Sequence, residues 1–451
     1  MPWSKVREGR YERAIGENEK FIKIIGDAAL PLNREHWAIN ILAAIRPIGS
    51  LAQENLSSLF CEAWKLLRFK HPTIAAYIVD ETTYVYDVPD GAALEKWASE
   101  TFKVVEEKTA DELIASIAVS PYATMYYLPK TNELLGHWQH WRTDGVGAFL
   151  LTDDFLTLAT SSPPPEASNL PWGEEVARLA PSIEEAAGLS ANPSEVDKEI
   201  GAKCVGSFGH AAGAIGISSP APPETLPGGT KFARLHLTEQ ETKKVIQACK
   251  ARNISVTAAV HASIATANYT LAASGDQDRH YTSTIRYSFR PFLPKPYSGR
   301  EYAATIFTTG WMVPVPAASS WEERAKIYHT EYRKGLSKEY ISAHREYAIG
   351  LCKLLRSLPA GAPSPTDVDI SSLGVAERLI DREKGTSERG IHIERVSIGL
   401  EIVNRQCVCH VWTFRDQLCL NLVYNEAFYE KAAMDGFVKC VRDSLLEELV
   451  A

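Results

Sequence analysis

One histidine in this chain is followed, at a fixed spacing, by an aspartate and a glycine. His140, Asp144 and Gly145 close the run GHWQHWRTDG, residues 136–145, in the pattern H-x-x-x-D-G. An imidazole has the side-chain pKa nearest neutrality, so His140 could accept a proton from a reacting hydroxyl at working pH. The pattern therefore predicts a general base at position 140, with a buried core histidine before a chance Asp-Gly turn as the alternative.

The elements around His140 follow from the apolar pattern. Residues 123–128 and 133–141 predict a hairpin, and residues 146–159 predict a helix, so His140 would stand at a strand end before a turn. Side chains alternate along a strand, so we expect His137 and His140 to face opposite sides of it. That arrangement argues against a two-histidine metal site, and we expect no metal.

A second motif lies in the other half of the chain. Residues 286–300 read RYSFRPFLPKPYSGR, which by itself predicts a proline-rich loop leaving a strand. This stretch resembles R-x-R-x-x-P-P-L-P-x-x-Y-x-G-N, a motif of plant acyltransferases of the chloramphenicol-acetyltransferase-like superfamily, whose active-site signature is H-x-x-x-D-G. The matching positions are Arg286, Pro291, Leu293, Pro294, Tyr297 and Gly299, and the departures are Ser288, Phe292 and Arg300.

Among the branches of that superfamily, the chain is similar to fungal trichothecene 15-O-acetyltransferase-type enzymes of secondary metabolism. The similarity rests on residues 3–13, 140–145 and 412–426. The D-F-G-W-G motif of the plant enzymes is absent, which argues against a plant-type enzyme but not against the superfamily.

Composition limits the other classes of function. The chain has 451 residues, 45% of them hydrophobic and 23% charged, which is typical of a soluble globular protein of two or three domains. Its formal net charge is −8, and no basic stripe or zinc-finger spacing predicts nucleic-acid binding. We find no apolar run of transmembrane length, and the start of the sequence is too charged for a signal peptide. We therefore expect a cytoplasmic protein with reduced cysteines.

The resemblance implies an α/β (α+β) fold of two similar halves, each with a mixed sheet and flanking helices, and an active-site tunnel between them. On this basis the first half is residues 1–180, a crossover linker is 181–230, and the second half is 231–451. The Gly-rich stretches within the linker lack the lysine of a phosphate-binding loop. The resemblance also implies a monomeric enzyme with no permanently bound cofactor and with acyl-CoA, in particular acetyl-CoA, as co-substrate.

The same resemblance assigns roles to the motif residues. His140 would deprotonate the hydroxyl of a small-molecule acceptor, such as a fungal terpenoid or polyketide, as its oxygen attacks the thioester. Asp144 and Gly145 would have structural roles, and Asp144 would form an ion pair with Arg286 that joins the halves. The CoA-binding residues and the oxyanion donors cannot be assigned to sequence positions.

Two other functions stay open on the sequence. Condensation domains of peptide synthetases use the same motif on carrier-bound acyl groups, and some relatives would cyclise polyketides instead. A catalytically silent binding protein is a third possibility, which the intact His140 argues against. The chain contains no carrier-protein segment, which favours free acyl-CoA.

Overall fold

Two segments from the second half of the sequence fold together with the first half. A computed structural model describes residues 2–162, 165–359 and 365–450. Its first unit consists of Met1–Pro193, Ser288–Thr308 and Glu377–Ile398, and its second unit of Ser194–Tyr287, Thr309–Ala376 and Gly399–Ala451. The bounds 1–180, 181–230 and 231–451 stay a prediction. Each compact unit consists of three separate segments of the sequence, so no single cut of the chain would separate the two units.

The first unit contains six helices within its described residues. They are α1 (Glu17–Asp27), α2 (Leu56–Lys70), α3 (Gly91–Thr101), α4 (Ala110–Ile114), α5 (Gly145–Ala159) and α6 (Ile183–Ala186). Its strands are β1 (Ser4–Arg7), β2 (Arg10–Ala14), β3 (Ile39–Gly49), β4 (Tyr77–Val79), β5 (Thr83–Asp87), β6 (Phe102–Val104), β7 (Thr124–Leu128), β8 (Glu133–Trp138), β13 (Glu383–Gly385) and most of β14 (Arg389–Leu400).

The central sheet of the first unit has the strand order β13-β14-β3-β8-β7-β6, and a smaller sheet has the order β1-β2-β5-β4. Every residue of β8 is buried, because the strand lies inside the sheet and helices cover it. Trp64 of α2 contacts both the sheet and α5, with ring centroids 5.8 Å from Trp138 and 6.4 Å from Phe155. The near-continuous apolar sequence of α5 follows from its burial in this core.

The second unit packs its helices on another mixed sheet. Its strands are β9 (Thr230–His236), β10 (Tyr281–Ser288), β11 (Thr308–Val315), β12 (Val368–Val375), β15 (Cys407–Phe414) and β16 (Gln417–Asn425). Its helices are α7 (Glu195–Gly206), α8 (Glu239–Ala251), α9 (Val256–Leu271), α10 (Trp321–Lys334), α11 (Lys338–Ser357) and α12 (Lys431–Val450). The sheet order is β12-β15-β16-β9, with β12 and β15 parallel, and β10 pairs with β11. The expected mixed α/β class is confirmed.

Part of the expected linker is a helix. Residues 195–206 form α7, which starts with a capping box in which Ser194 and Asp197 hydrogen-bond to each other's backbone N–H groups. α7 packs against α11 so closely that a Cβ on Gly201 would lie 2.9 Å from Cβ of Glu346. A glycine that suggested a linker in the sequence thus allows two helices to pack closely.

In the described part of the chain, no helix combines the length and hydrophobicity that crossing a bilayer requires.

Candidate active site

His140 lies in a loop between β8 and α5. The predicted strand 133–141 is too long, since β8 ends at Trp138, and strand alternation therefore does not set the direction of His140. The Nδ1 atom of His140 lies 3.1 Å from the carbonyl oxygen of Thr143. A carbonyl oxygen only accepts hydrogen bonds, so Nδ1 carries the ring hydrogen and Nε2 carries the lone pair. The loop thus fixes the tautomer in which Nε2 can accept a proton.

Arg142 anchors the His140 loop by hydrogen bonds. Its guanidinium is buried and donates to the carbonyls of Thr73 at 2.7 Å, Ala76 at 2.6 Å and Pro121 at 2.9 Å. Its Nε also donates to Oε1 of Gln139 at 2.9 Å. These bonds tie the His140 loop to two other loops of the first unit, because five donors in one rigid plane can reach several carbonyls at once.

A buried carboxyl group lies in the same region of the first unit. Burial raises the pKa of Glu35 to about 8, and the positive charge of Arg142 opposes that rise. A neutral carboxyl group can donate as well as accept a hydrogen bond, so Glu35 would remain buried at neutral pH without a full negative charge.

Asp144 caps the N-terminus of α5 and binds an arginine. Its Oδ1 accepts the backbone N–H of Gly147 at 2.8 Å, and its Oδ2 accepts that of Phe307, also at 2.8 Å. Nη1 of Arg290 lies 2.7 Å from Oδ1 and 2.6 Å from Oδ2. Both groups are buried. Both oxygens of Asp144 therefore accept hydrogen bonds from groups of the first unit, and its structural role stays a prediction.

The expected partner of Asp144 was wrong. Arg286 lies within β10 and donates instead to Oδ2 of Asp369 at 2.5 Å and to the carbonyl of Ile370 at 2.7 Å. Arg290 stands four residues later, in the 3₁₀ turn Arg290–Phe292 beyond the end of that strand. Arg286 therefore binds β12 of the second unit, and the arginine that binds Asp144 is Arg290 in the turn.

Two glycines begin α5. Gly145 is its first residue, directly after the capping aspartate. A Cβ on Gly147 would lie 2.3 Å from the carbonyl oxygen of Ala303, 2.3 Å from Oγ1 of Thr143 and 3.1 Å from Nη2 of Arg290. Gly147, which the sequence analysis did not select, is therefore the position where the helix and the segment 288–308 approach most closely.

His137 is a buried residue of strand β8, close to the His140 loop. Its Nδ1 lies 2.8 Å from Oδ1 of Asn40 on the adjacent strand β3. Burial lowers its pKa to about 4. The described residues contain no group of three or more histidine, cysteine, aspartate or glutamate side chains that could hold a metal ion.

The C-terminal half of α5 forms further ion pairs. Asp153 accepts Nη2 of Arg300 and Nζ of Lys384, each at 2.6 Å, and the backbone N–H of Asp381 at 2.9 Å. Asp154 lies 2.7 Å from Nε2 of His71, which is buried. Both inserted segments, 288–308 and 377–398, are therefore bound to the helix that follows the His140 loop.

Sequence reasoning missed Arg142, Arg290 and Gly147. The signal for Arg142 was available, since a lone arginine inside a run of tryptophans and histidines must find acceptors when it is buried. For Arg290 the only signal was its position beside a proline, which cannot tell it from Arg286.

A double-mutant cycle tests the Asp144–Arg290 pair. Removing one partner of a buried pair leaves an uncompensated charge, so Asp144→Asn and Arg290→Met should each lower the free energy of unfolding by about 3–5 kcal/mol. The double variant should lose less than the sum of the two losses. Denaturant titration provides the measurement. As a matched control, Arg286→Met should be additive with Asp144→Asn, and coupling of Asp144 to Arg286 instead would contradict the assignment.

The pH dependence of stability tests the burial of His137. An unfolded histidine gains a proton below about pH 6.5, whereas folded His137 stays neutral until pH approaches 4. Between those values the unfolded state binds more protons, so His137 should reduce stability as pH falls through this window. His137→Gln removes that titration. The variant should lose less stability than wild type between pH 7 and pH 4, and parallel stability curves would show that His137 titrates normally.

Comparison with known proteins shows the family of this chain. No protein-family model matches the chain. Acetyltransferase pigO of Monascus ruber is 43% identical over 453 residues, covering 100% of this chain and 98% of that protein. O-acetyltransferase pigM of the same fungus is 30% identical, covering 100% of this chain and 87% of that protein.

A solved structure supports the fold. TRI3 trichothecene 15-O-acetyltransferase from Fusarium sporotrichioides superposes with a TM-score of 0.83 at 19% identity, covering 98% of this chain and 97% of that chain. At that identity the superposition shows the fold alone, whereas the relatives at 43% and 30% identity show the family. This chain therefore belongs to the fungal acetyltransferases with the chloramphenicol-acetyltransferase-like fold, and it is an acyltransferase.

Proposed function

We propose that the protein transfers an acetyl group from acetyl-CoA to a hydroxyl of a fungal secondary metabolite, with His140 as the general base. The observation that carries this proposal is the hydrogen bond from Nδ1 of His140 to the Thr143 carbonyl, which selects the neutral tautomer with its lone pair on Nε2. Support for an O-linked product comes from the relatives, since pigM is named an O-acetyltransferase and TRI3 a trichothecene 15-O-acetyltransferase.

The proposed reaction needs only one proton acceptor on the protein. Nε2 of His140 takes the hydroxyl proton as the acceptor oxygen attacks the thioester carbonyl carbon. The tetrahedral intermediate then collapses, the carbon–sulfur bond breaks, and the CoA thiolate takes the proton from His140. A thiol has a pKa of about 8.5, so the sulfur leaves without a strong acid. No covalent intermediate on the enzyme is required.

In this mechanism Asp144 positions the loop and does not move protons. Its two oxygens accept hydrogen bonds from Gly147, Phe307 and Arg290, which hold the side chain in one orientation. Arg142 supports the loop by hydrogen bonds to backbone carbonyls. The base would thus be held by a rigid surrounding and need little reorganisation when the proton moves.

The setting we propose is a monomeric cytoplasmic enzyme with no permanently bound cofactor. None of the eight cysteines, which all lie in the described residues, forms a disulfide, and this suits a reducing compartment. The alternative of a carrier-bound donor is tested by comparing acetyl-CoA with acetyl groups on a carrier protein.

Replacing the base tests the proposal. His140→Ala should lower turnover of acetyl-CoA with an alcohol acceptor by about 10²–10⁴-fold, since that is the usual contribution of a general base. Release of free CoA thiol measures the rate. The melting temperature and CoA binding should stay close to those of wild type, because His140 is only half-buried.

His137→Gln is the matched control, since it changes a histidine three residues away that is bonded to Asn40. It should keep most of the activity. Turnover of His140→Ala within threefold of wild type would refute the general base, and turnover only with the carrier-bound acetyl group would favour the condensation-type reaction.

A further inference from the structure

Trp37 has an unusual backbone conformation next to the His140 loop. Its φ angle is +67°, in the left-handed region that large side chains rarely adopt. Such a conformation is unfavourable and persists only where the surrounding structure imposes it. The turn is held by hydrogen bonds from the N–H of Ala38 to the carbonyl of Glu35 and from the N–H of His36 to the carbonyl of Gly26, both at 3.2 Å.

The sheet register explains why Trp37 lies near His140. Strand β3 pairs antiparallel with β8, and Ile39 is opposite Trp138. Trp37 lies two residues before β3 begins and His140 two residues after β8 ends, so both lie beyond the same end of this strand pair. Their ring centroids lie 6.3 Å apart with an interplanar angle of 49°, within the range of interacting aromatic rings.

Trp37 is also accessible, although it lies among buried residues. Glu35, His36 and Ala38 around it are buried, whereas Trp37 and His140 are both half-buried. A second imidazole, that of His36, has its centroid 5.6 Å from the indole. The strained turn therefore places a large, flat apolar ring beside the imidazole of His140.

We propose that the indole of Trp37 is the surface on which the acceptor stacks, and that the acceptor is a hydroxyl carried by a flat, unsaturated ring system. This inference rests on the proposed function, since it names the substrate class of the same site. An unsaturated ring gains about 0.5–1.5 kcal/mol by stacking on an aromatic side chain, beyond the area that it buries. A saturated ring of the same size lacks this gain.

Binding of matched alcohols tests the substrate class. The probes are naphthalenemethanol and its fully saturated counterpart, decalinmethanol, measured by calorimetry on the full chain carrying His140→Ala, so that no transfer occurs. The protein should bind the naphthyl alcohol about three- to tenfold more tightly than the saturated one, which is the stacking gain converted to affinity.

Variants at position 37 separate the ring from the backbone. Trp37→Asn removes the ring but keeps a residue type that tolerates the left-handed region, so it should fold and lose the preference. Trp37→Phe keeps an aromatic face and should retain part of it. The matched control is Trp172→Leu, a half-buried tryptophan of the same unit that contacts Phe69, and this change should leave the preference intact.

The kinetics give an independent readout. If a flat alcohol is acetylated, Trp37→Asn should raise its KM and leave the KM for acetyl-CoA unchanged. Absence of any preference in the parent protein, or an unchanged preference in a folded Trp37→Asn variant, would overturn the inference. Its failure is distinct from that of the proposed function, because binding is measured without transfer and the role of His140 is measured by rate.

Discussion

The bond between Asp144 and Arg290 is the interaction on which the candidate site depends. One carboxylate caps α5, accepts a backbone N–H from Phe307 and binds a guanidinium that arrives from a segment far along the chain. Because Asp144 follows Thr143 directly, the same residue fixes the end of the loop whose carbonyl orients His140. A buried charge needs such a partner, since an isolated carboxylate in a protein interior is strongly destabilised.

Helix α5 extends this constraint through the first unit. Its first turn holds Arg290, and its last half holds Arg300 and Lys384 through Asp153. The rest of the helix is apolar and packs against α2 and the central sheet. Asp153 is therefore placed where it binds the inserted segments, Asp154 where it binds His71, and the apolar residues where they form the core.

The sequence predicted elements better than it predicted partners. Hydrophobic periodicity located the hairpin β7–β8 and helix α5 because both are buried and regular. It extended β8 by three residues, since Gln139 and Trp141 continue the alternation while their backbone already turns. The periodicity contains no information about Gln139, the first residue beyond the strand, donating to the carbonyls of Ser120 and Tyr122.

The choice between two arginines illustrates a different limit. Arg286 and Arg290 are four residues apart, and only Arg286 matches a defined position of the second motif. Which one meets Asp144 depends on where β10 ends and on the presence of Asp369 on β12, neither of which one sequence reveals. The same is true of Trp37, whose position opposite His140 requires the register of β3 and β8.

The discontinuity of the first unit has a consequence for biosynthesis. Asp144 and Arg290 are separated by 146 positions, and translation proceeds at about 5–20 residues per second, so roughly 7–30 s pass on the ribosome between the two. During that interval the nascent chain has the His140 loop but not the cation that neutralises its end. Lys384 emerges later still. The first-made part of this enzyme is thus among the last to reach its final form, and the unfinished core must be kept from aggregation while the remainder is synthesised.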